Sequence, residues 1–280
     1  KGAHLVDREF QVMHALAQTD VPVPKVHHLS GEDTPLGTQF FVMDFVPGRI
    51  FWDPLVKDAN SIYDAMNATL AKLHLVNVDA VGLSTIGRYG KYYARQFAIW
   101  DRAYRAAETE PLPDVDWLAA WISDHMPDDD GLLCLTHGDF RIDNMIFDIH
   151  RPQVVALLDW ELSTLGHPFS DLAYQMMHWS LPNAGVFKGL GEIDRSAWGL
   201  PHNPAYIARY LARTGFAPPE SWTFFFVFAH FRFLAILQGV LARGLQGNAA
   251  NPLGSSETRS AVEWLAEEGR RVALNGVKLG

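Results

Sequence analysis

Apolar positions in the first stretch of the chain fall at Leu5, Val6, Val12, Met13 and Leu16, close to helical spacing, and predict a helix over residues 4–19. Asp20 and the following VPVP end it, because each proline disfavours helix in the residue before it. Residues 25–30 and 39–45 read as short strands around the polar turn GEDTPLG, and the second runs into Val46-Pro47-Gly48, a change of direction fit for a hinge. Beyond it the pattern is mostly helical. Ile62, Met66, Leu70 and Leu73 stripe residues 60–76, and further helices are expected over 92–108 and 116–126. An apolar strand, LLCL, precedes a loop, and two apolar runs, 145–147 and 154–158, are parted by a turn containing Pro152, which predicts a β-hairpin. Helices follow over 168–179 and 203–215, the latter opened by Asn203-Pro204 and closed by Gly215. Two long helices, 219–244 and 256–274, finish the chain.

Folded symmetrically about its turn, the hairpin would set Phe147 opposite Ala156, Ile146 opposite Leu157 and Asn144 opposite Asp159. Residues opposite each other on paired strands have Cβ atoms about 5 Å apart. Asn144 and Asp159 would then share one oxygen-rich corner, with Asp139 on the loop entering it. An amide and a carboxylate suit Mg²⁺, which takes one or two protein oxygens and completes its shell with phosphate and water. A further carboxylate could accept the proton of a hydroxyl nucleophile. Together these are the parts needed for phosphoryl transfer, although Asp and Asn in loops more often serve only as turn and cap residues.

Composition narrows the picture further. Among 280 residues, 48% are hydrophobic, enough for a large core and more than one structural unit. The net charge of −9 and the lack of a Lys/Arg cluster argue against nucleic-acid binding. A lone Cys134 makes no internal disulfide and points to a reducing, cytoplasmic setting. The apolar stretch 224–241 carries His230, Arg232 and Gln238, so a buried core helix is expected rather than a membrane span. Twelve histidines show no metal-ligand spacing.

Several polar residues carry two readings. Arg141 either steadies a phosphoryl group or an anionic substrate, or pairs with Asp143. Glu161 either ligates a second metal or bonds the loop backbone, with the structural role preferred. Arg232, Gln238 and Arg243 either reach a substrate pocket or are buried ion pairs and surface positions. Arg88, Lys91, Tyr92 and Tyr93 are placed to meet an anionic acceptor.

The string His137-Gly138-Asp139-x-x-x-x-Asn144 with a downstream Asp159 resembles the catalytic segment of the aminoglycoside phosphotransferase and choline kinase group of small-molecule kinases. The longer string HGDFRIDNMIFD…VVALLDWELSTLGHPFSDLAY, with VDREF and FVMDFVPGR, is closer still to the phosphotransferase domains associated with acyl-CoA dehydrogenases. The resemblance implies an α+β, protein-kinase-like fold of two lobes: the remainder of a nucleotide-binding sheet lobe over residues 1–46 and a helix-rich lobe over 47–280. It implies Asp139 as catalytic base, with Asn144 and Asp159 holding Mg²⁺ on the phosphates of ATP or GTP. Glu9 would pair with a phosphate-binding lysine. Met43, the Asp44 carbonyl and the Val46 amide would line the adenine pocket, with Phe147 and Leu158 packing on the purine. Asp171 would brace the catalytic loop.

The acceptor implied is a small-molecule hydroxyl, on a hydroxyacyl-CoA or hydroxy acid. A fused or associated acyl-CoA dehydrogenase is the implied partner, with no nucleic acid and no membrane. In the family the phosphate-covering loop and strand lysine lie upstream of the VDRE helix; only eight residues precede Glu9, so most of that lobe is expected to be missing from the sequence. Two rival readings remain: a nucleotide-binding or docking module without phosphate transfer, and a metal-dependent hydrolase.

Overall fold

The computed structural model describes residues 6–31, 33–246 and 255–277. Lys1, the nearest candidate for a phosphate-binding lysine, lies outside them. The small N-terminal part consists of α1 (Val6–Leu16) packed on an antiparallel pair, β1 (Val26–Leu29) and β2 (Phe41–Met43). Val12, Met13 and Leu16 bury the apolar face of α1 as its spacing predicts. Arg8 donates to the carbonyl of Ser163, which fixes α1 against the larger part of the molecule.

That larger part is helix-rich: α2 (Ala59–His74), α3 (Tyr92–Ala107), α4 (Pro113–Asp124), α5 (Phe169–Ser180), α6 (Asn203–Thr214), α7 (Thr223–Leu245) and α8 (Ser255–Asn275). The expected two-part α+β organisation is therefore present. Helix α4 begins three residues before its apolar periodicity, because Pro113 has a φ already suited to a first turn. Gly215, with φ 73°, closes α6 in the left-handed conformation.

Helix α7 is long and apolar enough to cross a membrane, but its Phe-rich surface is buried against α3, α4, α5 and α8. The core helix expected from His230, Arg232 and Gln238 is what forms. Gln238 donates to the Ala107 carbonyl and Thr109, so it ties α7 to the end of α3.

Two small sheets carry the site. Strand β3 (Cys134–Thr136) pairs antiparallel with β6 (Thr164–Gly166), and β4 (Met145–Phe147) pairs with β5 (Val154–Leu157). The hairpin forms, but its register differs from the symmetric one. Met145 faces Leu157, Ile146 faces Ala156 and Phe147 faces Val154, with an irregularity between Ile146 and Phe147. The turn explains the shift. Asp148 accepts from the backbone amides of His150 and Arg151, while its own N–H closes on the Gln153 carbonyl at 2.8 Å. That local turn closes two residues shorter than a symmetric closure, and Val155, left as a bulge, restores one of them.

Candidate active site

The loop between β3 and β4 runs from His137 to Asn144 and is held from below by buried groups. Asp171, at the start of α5 and 0% exposed, accepts from the amides of His137 at 2.6 Å and Gly138 at 2.9 Å. Its Oδ2 also meets His74 Nε2 of α2 at 3.2 Å, and His74 Nδ1 meets the Tyr210 hydroxyl of α6 at 2.6 Å. Burial opposes the charge on Asp171, but the hydrogen bond and charge of His74 outweigh it and keep the carboxyl below its ordinary value. Asp171 thus braces the loop.

From the other side Arg232 of α7 donates to the Gly138 carbonyl, its guanidinium over the rings of Tyr174 and Trp100 at 4.7 and 5.2 Å. Of the two readings open for Arg232, the buried brace is the one realised. Gly138 itself has φ 87°, and a Cβ there would stand 2.6 Å from the Leu162 carbonyl oxygen, so conformation and space both require glycine.

His137 is fully buried and shapes the loop. Its Nδ1 accepts from the Asp139 amide at 3.2 Å and its Nε2 donates to the Leu158 carbonyl at 2.9 Å. Both bonds are satisfied by a neutral ring, and burial lowers its pKa against the pull of Asp171 and Asp139. The bond to Leu158 ties the catalytic loop to the end of β5, where Asp159 sits.

Asp139 and Asn144 are in direct contact: Asn144 Nδ2 donates to Asp139 Oδ2 at 3.0 Å and to its carbonyl at 2.9 Å. The Leu158 amide donates to the Asn144 carbonyl at 2.9 Å. Asn144 therefore stands opposite Leu158, and the next residue, Asp159, is turned by φ 66°. Asp159 thus follows Leu158 through a left-handed turn instead of forming a direct cross-strand pair with Asn144, and lies near enough to Asp139 for the two charges to interact. Withdrawal from solvent, then the charge of Asp139, raise the pKa of Asp159.

The donor chemistry of this corner fits a hard divalent cation. The oxygens come from carboxylate and amide groups, and a cation would reverse the repulsion that raises Asp159. With Nδ2 of Asn144 turned to Asp139, its Oδ1 points away from that carboxylate. Among the described residues no cluster of three or more His, Cys, Asp or Glu could hold a metal ion.

Arg141 makes a two-pronged pair with Asp143, with Nε 3.1 Å from Oδ1, and lies 3.7 Å from Asp139. Burial disfavours its charge, yet Asp139 and Asp143 more than offset this and raise its pKa. The pair with Asp143 is formed, and the guanidinium stays beside Asp139.

Beside Asp159 opens a cleft of about 390 Å³ lined by Glu9, Met43, Leu158, Asp159 and Glu161, with Met13 and Phe41 behind. Residues distant in sequence, from α1, β2 and the end of β5, thus meet at one opening. Asp44 and Val46 continue from β2. The Asp44 amide donates to Lys25 and its carboxylate meets His27 at 2.6 Å.

Phe147 is placed elsewhere. Its side chain is 0% exposed and its ring lies 5.2 Å from that of Phe51, so it does not line the cleft. The bridge between Arg49 and Phe147 covers that strand edge, and Phe51, two residues beyond Arg49, packs beside the ring. Tyr92, Tyr93 and Lys91 line a different cavity, with Asp128, Asp129 and His167, and do not converge on the catalytic loop.

A second cavity of about 240 Å³ adjoins the catalytic loop itself. Arg141 and Asp143 bound it on one side, and Gln175, His178, Lys188 and Phe233 on others. Sequence reading missed Gln175 and His178, which sit in a helix so apolar that they pass for satisfied core positions.

Residues 2–221 match the model of the phosphotransferase enzyme family. A crystal structure from Ralstonia eutropha, provisionally named an aminoglycoside phosphotransferase, is 38% identical, superposes with a TM-score of 0.90 and is matched over 98% of this chain and 84% of its own. Acyl-CoA dehydrogenase family member 10 of Mus musculus is 38% identical over 97% of this chain, and family member 11 of Rattus norvegicus 37% over 97%. The chain spans only 26% and 35% of the lengths of these two relatives. On the family match and the similarity to the Ralstonia protein, with its two-part kinase-like fold, this chain belongs to the phosphotransferase enzyme family.

Proposed function

We propose that the chain transfers the γ-phosphoryl group of ATP, with Mg²⁺, to a hydroxyl of a small molecule, and that this acceptor is a hydroxyacyl-CoA or a hydroxy acid. The observation that carries the reading is the junction of Asp139, Asn144 and Asp159 beside the cleft that Glu9, Met43 and Leu158 share. Asp139 takes the proton of the acceptor hydroxyl, its carboxylate oriented by the Asn144 amide. Asn144 and Asp159 hold the cation, whose charge offsets that of the phosphates when it is bound. The Asp44 carbonyl and Val46 amide meet the adenine edge, Met43 and Leu158 its faces, while Phe147 supports Leu158's hairpin from the core. Glu9 faces the phosphates from α1 as partner of a lysine. Arg141, tethered by Asp143, steadies the transferring group.

In this reading residues 1–46 belong to the nucleotide side and 47–280 to the acceptor side, and the 240 Å³ cavity beside Arg141 takes the acceptor. The CoA-linked acceptor, and a dehydrogenase fused to or associated with this unit, follow from relatives named as acyl-CoA dehydrogenase family members, of which the chain matches a part. The test is incubation with Mg·ATP and a panel of hydroxyacyl-CoAs and free hydroxy acids, with mass detection of phosphorylated product. Product with a panel member supports the assignment; ADP and product absent across the panel overturn it.

A further inference from the structure

Two buried polar atoms on α5 have no hydrogen-bond partner: Nε2 of Gln175 and Nε2 of His178. Both side chains line the 240 Å³ cavity, and none of the other unpaired buried side-chain atoms among the described residues does. Three residues apart on one helix, they share a face. Buried donors and acceptors in folded proteins are nearly always paired, so two orphans on one cavity wall mark a place where a ligand completes the bonding.

The far end of each side chain fixes what its free end offers. Gln175 Oε1 accepts from the Tyr206 hydroxyl at 3.0 Å, which leaves its NH₂ as the unpaired end, a donor. His178 Nδ1 lies 2.9 Å from the Tyr174 carbonyl, which can only accept, so Nδ1 carries the ring proton and Nε2 presents a lone pair. Burial, then the charge of Arg141, lowers the His178 pKa to about 4, so this tautomer persists at neutral pH. The wall therefore offers one donor beside one acceptor. The cations nearby are engaged elsewhere: Arg141 with Asp143, and Lys188 with the Trp52 carbonyl at 3.4 Å.

We propose that Gln175 and His178 are specificity-determining residues that hold an un-ionised hydroxyl of the acceptor, distinct from the one phosphorylated. The hydroxyl proton goes to His178 Nε2 and its oxygen takes the N–H of Gln175. Asp139 does not line this cavity, so the hydroxyl at this wall is not the one whose proton Asp139 takes. A carboxylate in the same place would set its lone pairs against that of His178, and a methyl group would leave both orphans unmet. This inference rests on the reading of the cavity as the acceptor site. It narrows the acceptor to one that presents a neutral hydroxyl here instead of a free acid.

The test is a ligand-observed NMR titration of the full chain, without nucleotide, with 1-butanol, 1-fluorobutane and butyrate. The three share a four-carbon chain and differ in ending in a hydroxyl, a fluorine or a carboxylate, so that only the first offers a neutral hydroxyl. The expected result is binding of 1-butanol about tenfold tighter than either analogue, the size of one well-made pair of hydrogen bonds. In Gln175→Met and His178→Phe the ratio of 1-butanol to 1-fluorobutane affinity should collapse towards one. Gln175→Glu, of the same shape, exchanges donor for acceptor and should do the same if an apolar change impairs folding. Equal affinities in the wild type, or variants that weaken all three probes in parallel, overturn the proposal. Because no nucleotide is present, a failure of phosphoryl transfer leaves this result standing. Transfer to a mono-alcohol as readily as to a diol would sink it while leaving the kinase reading intact.

Discussion

The two sides of the cleft are built by opposite means. The catalytic loop stands on Asp171, His74, Tyr210 and Arg232, all buried, drawn from α5, α2, α6 and α7. The facing segment, from β2 to the start of α2, is open: Phe45 is 91% exposed and Trp52 68%. Its regular backbone pairing is limited to the short ladder with β1 and the bridge to Phe147. The lesson is a division of labour. On the proposed reading, chemistry that needs fixed distances rests on crossed buried hydrogen bonds, while recognition of a flat ring by backbone groups and one face is left at the surface.

The strongest test of this contrast is Asp139→Asn, which should lower the transfer rate by about 10²–10⁴-fold, the span of a general base, and leave urea unfolding nearly unchanged. An equal turnover number in the variant would break the assignment of the rigid side to chemistry. Next comes Asp171→Ala, which strips the partner from two amides and His74. It should cost about 3–5 kcal/mol of stability in urea titration, as for a broken buried pair. A loss under about 1 kcal/mol would show that the brace is dispensable.

Acid sensitivity is expected on the same side. Burial lowers the pKa values of His137, His167, His178 and His230, so below pH 6.5 the unfolded chain binds these protons first. Stability must then fall as pH drops from 6.5 towards 4. For His178, with a folded value of about 4, the loss between pH 7 and 5 is about 2 kcal/mol. His178→Phe should flatten the urea-midpoint profile over that range. Asp171, held low, adds its own loss at still more acid pH, as pH falls from the ordinary carboxylate range to its depressed folded pKa.

The smallest effects belong to the open side. Met43→Ala and Phe45→Ala should weaken Mg·ATP binding less than tenfold and shift unfolding by no more than about 0.5 kcal/mol, as exposed positions do. A large stability loss there would erase the distinction between the two sides.

What the sequence disclosed follows the same divide between local and distant causes. The helices, the hairpin, the loop and the convergence of Asp139 with Asn144 rest on spacing within a few residues, and all were legible. Strand β6 was not, because Thr164–Gly166 shows no alternation and exists only through its pairing with β3, about 28 residues away in sequence. The hairpin register escaped because a bulge at Val155, set by the Asp148 turn, leaves no mark in hydrophobicity. Phe147 looked available to a purine because the residue that covers its strand edge, Arg49, lies almost a hundred positions upstream. Arg141 left two partners open until folding brought Asp143 into its fork. His178 and Gln175 announced nothing, since an unmet hydrogen bond is a property of the packed helix and not of its letters.

The hairpin has one more consequence. On one edge Arg49 exchanges both backbone bonds with Phe147, at 2.8 Å each; on the other the Leu157 amide reaches the Pro22 carbonyl at 2.8 Å. The chain leading into the small sheet and the chain leaving it are thus pinned to opposite edges of one ribbon. The sheet between them is fastened like a plate on three rivets, two on the ribbon whose end carries Asn144 and Asp159 and the third through α1, where Arg8 holds the Ser163 carbonyl. Three rivets out of line leave a plate no axis to turn on, so the wall that Met43 lends to the cleft keeps its place beside the corner that holds the charge.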